Sequence, residues 1–450
     1  MDVGGWLTEY RPLLATLVAI AALLALILRA RMPAFAALIL VSALAALAAG
    51  MAPAEAFDTL TRGMGGTLGF VAVVIGLGAL FGVMLERSGG LESLAQRLLT
   101  GRQAGAGRWL MGGLGLLASI PVFFDVALII LAPLVFAFAR RTGRPVLSFG
   151  LPLVCGLAVA HSFIPPTPGP IAVAEILGAD LGLVILFGIL AGLPALAMAG
   201  PLFAGWLDRT GRLPIGAIAG EAGTPTERPA NAGLTAALIS LPLALILAGT
   251  LASRFDLPPA LGYSLAVIGH PFMALLLACG MTWLVFRPTN DAQRRNLSDG
   301  IARALEPTGA VILVTGAGGA FKQVLVDTGA GAQLADGAMA LGLVPLVAGF
   351  VLALLVRVAQ GSATVAMITA AGLTAPLADA AGLAPTQLAL CVIAIAAGAT
   401  ALSHVNDSGF WLVSRIFGLD VRQTLASWTV ATLIIGLAGF AAALILSLLV

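Results

Sequence analysis

Four short polar clusters interrupt a chain that is otherwise apolar, and they hold the side chains able to bind an anion or move a proton. The first is Ser119-Ile120-Pro121-Val122-Phe123-Phe124-Asp125, where a proline in mid-stretch breaks the helix and an acid lies one turn on. A carboxylate at membrane depth is expensive and marks a functional position by default; the alternative is that Asp125 only caps its hairpin. The second is His161-Ser162-Phe163-Ile164-Pro165-Pro166-Thr167-Pro168-Gly169-Pro170. Its prolines rule out helix and leave carbonyls and hydroxyls free. Helix-type sequence resumes at once from Ile171, so a broken helix inside the protein fits better than an outside loop.

The third cluster is Arg357-Val358-Ala359-Gln360-Gly361-Ser362-Ala363-Thr364, with apolar residues on both sides. Arginine is always charged and its planar fork matches a carboxylate. The alternatives are a snorkelling side chain or a structural ion pair. The fourth, His404-Val405-Asn406-Asp407-Ser408-Gly409, supplies donors and acceptors for a polyol or an ion, and a histidine that titrates near neutrality. Candidate substrate contacts are therefore Arg357, Gln360, Ser362, Thr364, Asn406, Ser408, Ser162 and Thr167. Candidate proton-coupling groups are Asp125, His404, Asp407 and His161. His270, next to Pro271, is given no role.

The elements that must position these residues follow from composition. Only 10% of the 450 residues are charged and 60% are hydrophobic, against roughly 25% charged in a soluble domain. A cytosolic enzyme is excluded on that ground, and 55 glycines with 25 prolines point to interrupted helices. A span needs about 20 apolar residues, and ten segments qualify: 12–28, 34–52, 66–85, 146–164, 181–207, 233–252, 260–286, 305–326, 386–403 and 425–450. Two longer stretches, 109–139 and 338–378, break in their middles and read as re-entrant or broken-helix hairpins. Alternating these spans puts 18 of the 23 basic residues on one side, as the positive-inside rule requires of the cytoplasm. Both chain ends are then periplasmic, in a multi-pass protein of the bacterial inner membrane. A net charge of +2 gives no basis for nucleic-acid binding, and Cys155, Cys279 and Cys391 have no metal-ligand spacing. No nucleotide-binding loop or hydrolase motif is present, so no cofactor is expected.

An internal repeat sets the architecture. Residues 76–95 align without gaps on 316–335 at an offset of 240, with seven of twenty positions identical, among them Gly78/Gly318 and Gly89/Gly329. The same offset lays 121–126 over 361–366. The expected topology runs the two copies in opposite directions, an inverted repeat of the kind found in secondary transporters, with the site where the halves meet. The expected fold is an all-α polytopic membrane protein with about ten spans plus the two hairpins. Its parts are two leading spans (1–65), a first repeat (66–207), a cytoplasmic loop (208–232), two connecting spans (233–286), a second cytoplasmic loop (287–303) and a second repeat (304–450).

At these clusters the sequence resembles the gluconate:proton symporter family, the gluconate permeases of the ion transporter superfamily. The resemblance is carried in order by Gly76–Leu99, Ile120–Asp125, Pro133–Pro145, Gly150–Pro170, Gly178–Asp180, Arg357–Gly372 and Ser403–Val413. One departure is clear: the family usually reads Pro-Pro-His-Pro-Gly, and this chain has Thr167 at the histidine's place. The resemblance implies uptake of a sugar acid such as gluconate, or a smaller hydroxy acid, together with protons, and elevator-type relatives imply a homodimer. The runner-up keeps the architecture but couples Na⁺ to a carboxylate or an amino acid; a channel is a weaker third.

Overall fold

The structure, a computed structural model, describes residues 10–99, 104–214, 231–253, 255, 257–331, 333 and 344–450. Most of the loop 208–232, repeat positions 334 and 335, and the start of the 338–378 stretch lie outside the described residues. Every described element is helical. Two leading helices, α1 (Arg11–Leu28) and α2 (Ala34–Ala49), precede α3 (Pro53–Arg87) and a short α4 (Gly90–Leu99). Then follow α5 (Ala104–Ala118), α6 (Phe124–Thr142), α7 (Leu147–Phe163) and α8 (Pro168–Leu177). Next come α9 (Leu181–Ala197), a π turn and α10 (Phe203–Arg209). The second half holds α11 (Ala232–Ala252), α12 (Pro259–Gly269), α13 (Pro271–Val285), α14 (Asp291–Asp327), α15 (Pro345–Gln360) and α16 (Ala363–Ala380). It closes with α17 (Pro385–Thr400), α18 (Ser408–Ile416), α19 (Val421–Thr424), a second π turn and α20 (Val430–Ser447).

Seven described helices are long and apolar enough to cross a membrane, or eight if the bent pair α12–α13 is one span. All ten expected spans coincide with helices, and both long stretches break where expected, between α5 and α6 and between α15 and α16. Three boundaries differ. α3 starts at Pro53, and α14 starts at Asp291 within the segment expected to be a loop at 287–303. Their first three turns carry Asp58, Arg62, Arg294, Arg295 and Asp299, which disqualify them as membrane core but not as helix. The span 260–286 is in fact two helices meeting at 69°, because Pro271 ends one and His270 caps the next, accepting from the Phe272 amide.

The repeat is visible in the way the chain turns. Gly89 and Gly178 end helices at positive φ (66° and 68°), and Gly329 and Gly418, 240 residues on, do the same at 72° and 62°. Asp180 caps α9 by accepting from the Leu183 amide at 2.8 Å, and Asp420 caps α19 by accepting from the Gln423 amide at 2.7 Å. In each half a long helix, a broken pair and a second broken pair therefore follow one another in the same order. The repeat glycines lie where helices touch: a Cβ on Gly78 would sit 3.3 Å from the Pro166 carbonyl oxygen, and one on Gly318 would meet Ile176 and Ile368.

The broken helices form the interior. Across the α7–α8 segment, 94% of the apolar window is buried, against 33% for α11, whose outer face is left for lipid. The long helices α3 and α14 pack on each other at small residues. A Cβ on Gly63 would lie 2.6 Å from the Gly319 carbonyl oxygen, while one on Gly65 would meet nothing within 4 Å. Backbone cannot retreat from such a contact as a flexible side chain can. Gly63→Val should therefore cost at least about 1–3 kcal/mol and abolish the monodisperse peak in fluorescence-detected size exclusion. Gly65→Ala should leave that peak and the melting temperature unchanged or slightly raised.

Candidate functional site

The break between α15 and α16 needs glycine twice over. Gly361 has φ of +85°, and a Cβ there would come within 2.2 Å of the Asn406 carbonyl oxygen. Ser362 then caps α16, its hydroxyl facing the Val365 amide at 3.4 Å. Arg357 sits in the last turn of α15, where the helix dipole favours a cation. Its side chain is 5% exposed. One terminal nitrogen donates to the Gly361 carbonyl and the other to Asp407 Oδ2 at 2.5 Å, while Nε has no partner among the described residues.

Asp407 comes from the second break of this half and caps α18, accepting from the Gly409 amide at 3.1 Å. Its Oδ2 also accepts from the Ser403 hydroxyl. Ser403 is held by α20 and its π turn: Trp428 Nε1 donates to the Ser403 hydroxyl at 2.7 Å, and the Ser403 amide donates to Thr432 Oγ1 at 3.0 Å. Asp407 thus receives three donors and is tied to three helices.

The first half brings the matching breaks. Phe123 is the residue before α6, and Asp125 lies in that helix's first turn without a hydrogen bond among the described residues. In the break between α7 and α8, the Thr167 hydroxyl donates to the Ile164 carbonyl at 2.7 Å, closing the Pro165–Pro166 turn on itself. The His161 side chain approaches Phe123, with ring centres 6.4 Å apart, and its Nδ1 is buried with no partner among the described residues.

These breaks surround a cavity of about 170 Å³, lined by Asp125, His161, Ser162, Arg357, Ser362, Thr364, Asp407 and Ser408. Eight of the twelve candidate residues meet there, from both halves of the chain. The N-terminal turns of α6, α16 and α18 all border it. Its formal charges are one guanidinium against two carboxylates, with His161 beside them. Asp125 lies on a shared wall, because it also lines a second cavity of about 290 Å³ that reaches Glu86, Arg87 and Arg303.

Four candidates stand outside the main cavity. Thr167 is turned to its own loop and lines only a small neighbouring space with His161. Asn406 is exposed and donates its amide to the Val358 carbonyl at 2.8 Å, so it braces the break instead of facing the cavity. His404 keeps Nδ1 3.1 Å from the Leu402 carbonyl, a contact within its own turn. Gln360 has a buried, unpartnered Oε1 but does not line the cavity. In the other direction, Thr400, Trp428 and Thr432 line it and were not anticipated. The spacing Ser427-Trp428-Thr429 with Thr432, a polar stripe in an apolar last span, is the signal that marks them.

Comparison with known proteins decides the family. The model of the GntP family permeases matches residues 11–449. The low-affinity gluconate transporter of Escherichia coli K12 is 38% identical over 418 residues, 93% of this chain and 94% of that protein. The gluconate permease of Pseudomonas aeruginosa is 37% identical over 441 residues, 97% of both chains. The chain belongs to the GntP permease family. Among solved structures, the YdaH transporter of Alcanivorax borkumensis shares the fold with a TM-score of 0.64 at 18% identity, over 88% of this chain and 90% of that one. This GntP permease is a membrane transport protein, not an enzyme.

The Arg357–Asp407 pair in this permease is buried on both sides, so removing one partner strands the other. Arg357→Ala and Asp407→Ala should each destabilise the protein by about 3–5 kcal/mol. The double variant should melt no lower than either single one in a thermal-shift assay, because no uncompensated charge remains. Additive losses would show that the two side chains act separately.

Proposed function

We propose that this permease imports a small sugar acid of the gluconate class together with protons, across a bacterial inner membrane. The Escherichia coli and Pseudomonas aeruginosa relatives are named as gluconate carriers, and the observation that supports the same class here is the convergence of three helix N-termini and Arg357 on one cavity. A carboxylate entering the interior must replace its lost hydration, and backbone N–H groups at helix N-termini together with a guanidinium can do so. Arg357 Nε is the unpartnered donor. Ser162, Ser362, Thr364 and Ser408 supply hydroxyls for the substrate's own. At about 170 Å³ the cavity is below the roughly 300–1,000 Å³ of drug-sized sites, in keeping with a short polyol chain. The loop chemistry supports a cytoplasmic face carrying most arginines, with both chain ends periplasmic.

The charge count supports proton coupling. A bound carboxylate would make three negative groups against one guanidinium, and like charges in a confined site raise the cost of binding. Uptake of one proton restores the balance of the empty site. Asp125 is the better carrier of that proton. Among the described residues it has no donors to hold its ionised form, and it borders both cavities. Asp407, expected to share that role, accepts from Arg357, Ser403 and Gly409 and serves instead to orient the guanidinium.

In proteoliposomes, an inward proton gradient should drive gluconate accumulation, and Asp125→Asn should abolish accumulation while leaving counterflow measurable. Accumulation driven by a Na⁺ gradient alone would overturn proton coupling and leave the substrate class standing. Arg357→Lys keeps the charge but loses the fork, and should weaken gluconate binding by about 1–3 kcal/mol. A folded, monodisperse Arg357→Lys protein with wild-type affinity would remove Arg357 from the substrate's contacts.

A further inference from the structure

Away from the transport site, a cavity of about 470 Å³ opens where α3, α11, α13 and the start of α14 come together. Arg87 and Arg287 both line it, and no carboxylate does among the described residues. Among the described residues Arg287, which is exposed, has no ion pair or hydrogen bond, and Arg87 has an ion pair only with Glu86 at 3.9 Å. Two long helices also begin at its edge, α11 behind its cap Asn231 and α14 behind Asn290, adding positive potential from their N-termini. Among the described residues the cavity is therefore a cationic pocket without a neutralising carboxylate, in a protein with few charges to spare.

One wall says what kind of anion it takes. Trp283 lines the pocket and is 47% exposed, while Leu276, Leu277, Met281 and Leu284 on the same helix are exposed large apolar residues. An indole beside a cationic pocket, above a helix face left for hydrocarbon, is the arrangement of a membrane interface. Both arginines belong to the side carrying most of the basic residues, the side of anionic cytoplasmic headgroups. A free phosphate would use the arginines but leave the apolar face without purpose. We propose that this pocket binds the phosphodiester headgroup of an anionic phospholipid, with its acyl chains lying along α13. The site is independent of the substrate reading, since it shares no residue with the transport cavity.

The test is native mass spectrometry of the full-length detergent-purified protein, titrated with phosphatidylglycerol, phosphatidylcholine or inorganic phosphate. Phosphatidylglycerol should be retained in preference to phosphatidylcholine, and a large excess of inorganic phosphate should not displace it. Arg87→Gln and Arg287→Gln should each weaken retention about fivefold, since one interfacial arginine contributes about that much to anionic-lipid binding. Should Arg87→Gln fail to fold, Arg287→Gln decides alone, because its side chain is exposed and unpaired. Equal retention of both lipids, unchanged retention in Arg287→Gln, or displacement by inorganic phosphate would each overturn the assignment, the last by making the pocket a site for soluble phosphate.

Discussion

A guanidinium buried in the interior of a membrane protein is the constraint around which the rest of this structure is arranged. Arg357 cannot shed its charge, so its surroundings must supply acceptors. A helix offers none at mid-length, and the chain meets the demand by stopping the helix. Gly361 turns α15 so that a carbonyl swings back to Arg357, and the same turn starts α16 with its free amides. The facing break supplies Asp407, Asp407 requires Ser403, and Ser403 requires Trp428 and Thr432 from the final helix. Each helix interruption, costly alone in lipid, becomes the partner of another.

The two halves use one plan with different chemistry. The chain turns at the same offset in both, on glycines and caps 240 residues apart. Yet the second half places the Arg357–Asp407 pair at its breaks, where the first has Pro121 with Asp125 and the proline run with Thr167. Asp407 and Thr167 occupy equivalent caps, one a carboxylate bound to the guanidinium, the other a hydroxyl bound to its own loop. The shared backbone plan thus carries a buried ion pair on one side and, on the other, an acid without a hydrogen bond among the described residues.

Much of this was legible in the residues. Proline and glycine inside apolar runs have few tolerable places in a membrane, so the breaks at Pro121, Pro165 and Gly361 could be located from sequence. Buried charge is equally rare, so Arg357, Asp125 and Asp407 stood out. Direction was not legible. Asn406 and Thr167 look as able to bind a polyol as Ser408 and Ser162, but each satisfies a backbone carbonyl nearby, and only geometry shows that choice. Trp428 was passed over because the polar stripe around it, Ser427, Thr429 and Thr432, is short and sits in an otherwise apolar last span. Its role depends on a π turn, which leaves no compositional mark. The early starts of α3 and α14 were missed because hydropathy locates the membrane core and is blind to helix continuing into polar surroundings.

The charge inventory of the central cavity also bears on energy supply. One guanidinium and two carboxylates give the empty site a net charge of −1. With one proton taken up per monoanion, the loaded site carries −1 as well. Voltage then opposes the inward step as much as it assists the return, and its work cancels around the cycle. Such a carrier accumulates substrate on the pH difference alone, at about 1.4 kcal/mol, or tenfold, per pH unit. A second proton, for which His161 lies in the same cavity, would bring in about 2.3 kcal/mol per 100 mV. Under the proposed proton coupling, the count of protonatable groups beside Arg357 sets which half of the proton-motive force such a carrier draws on.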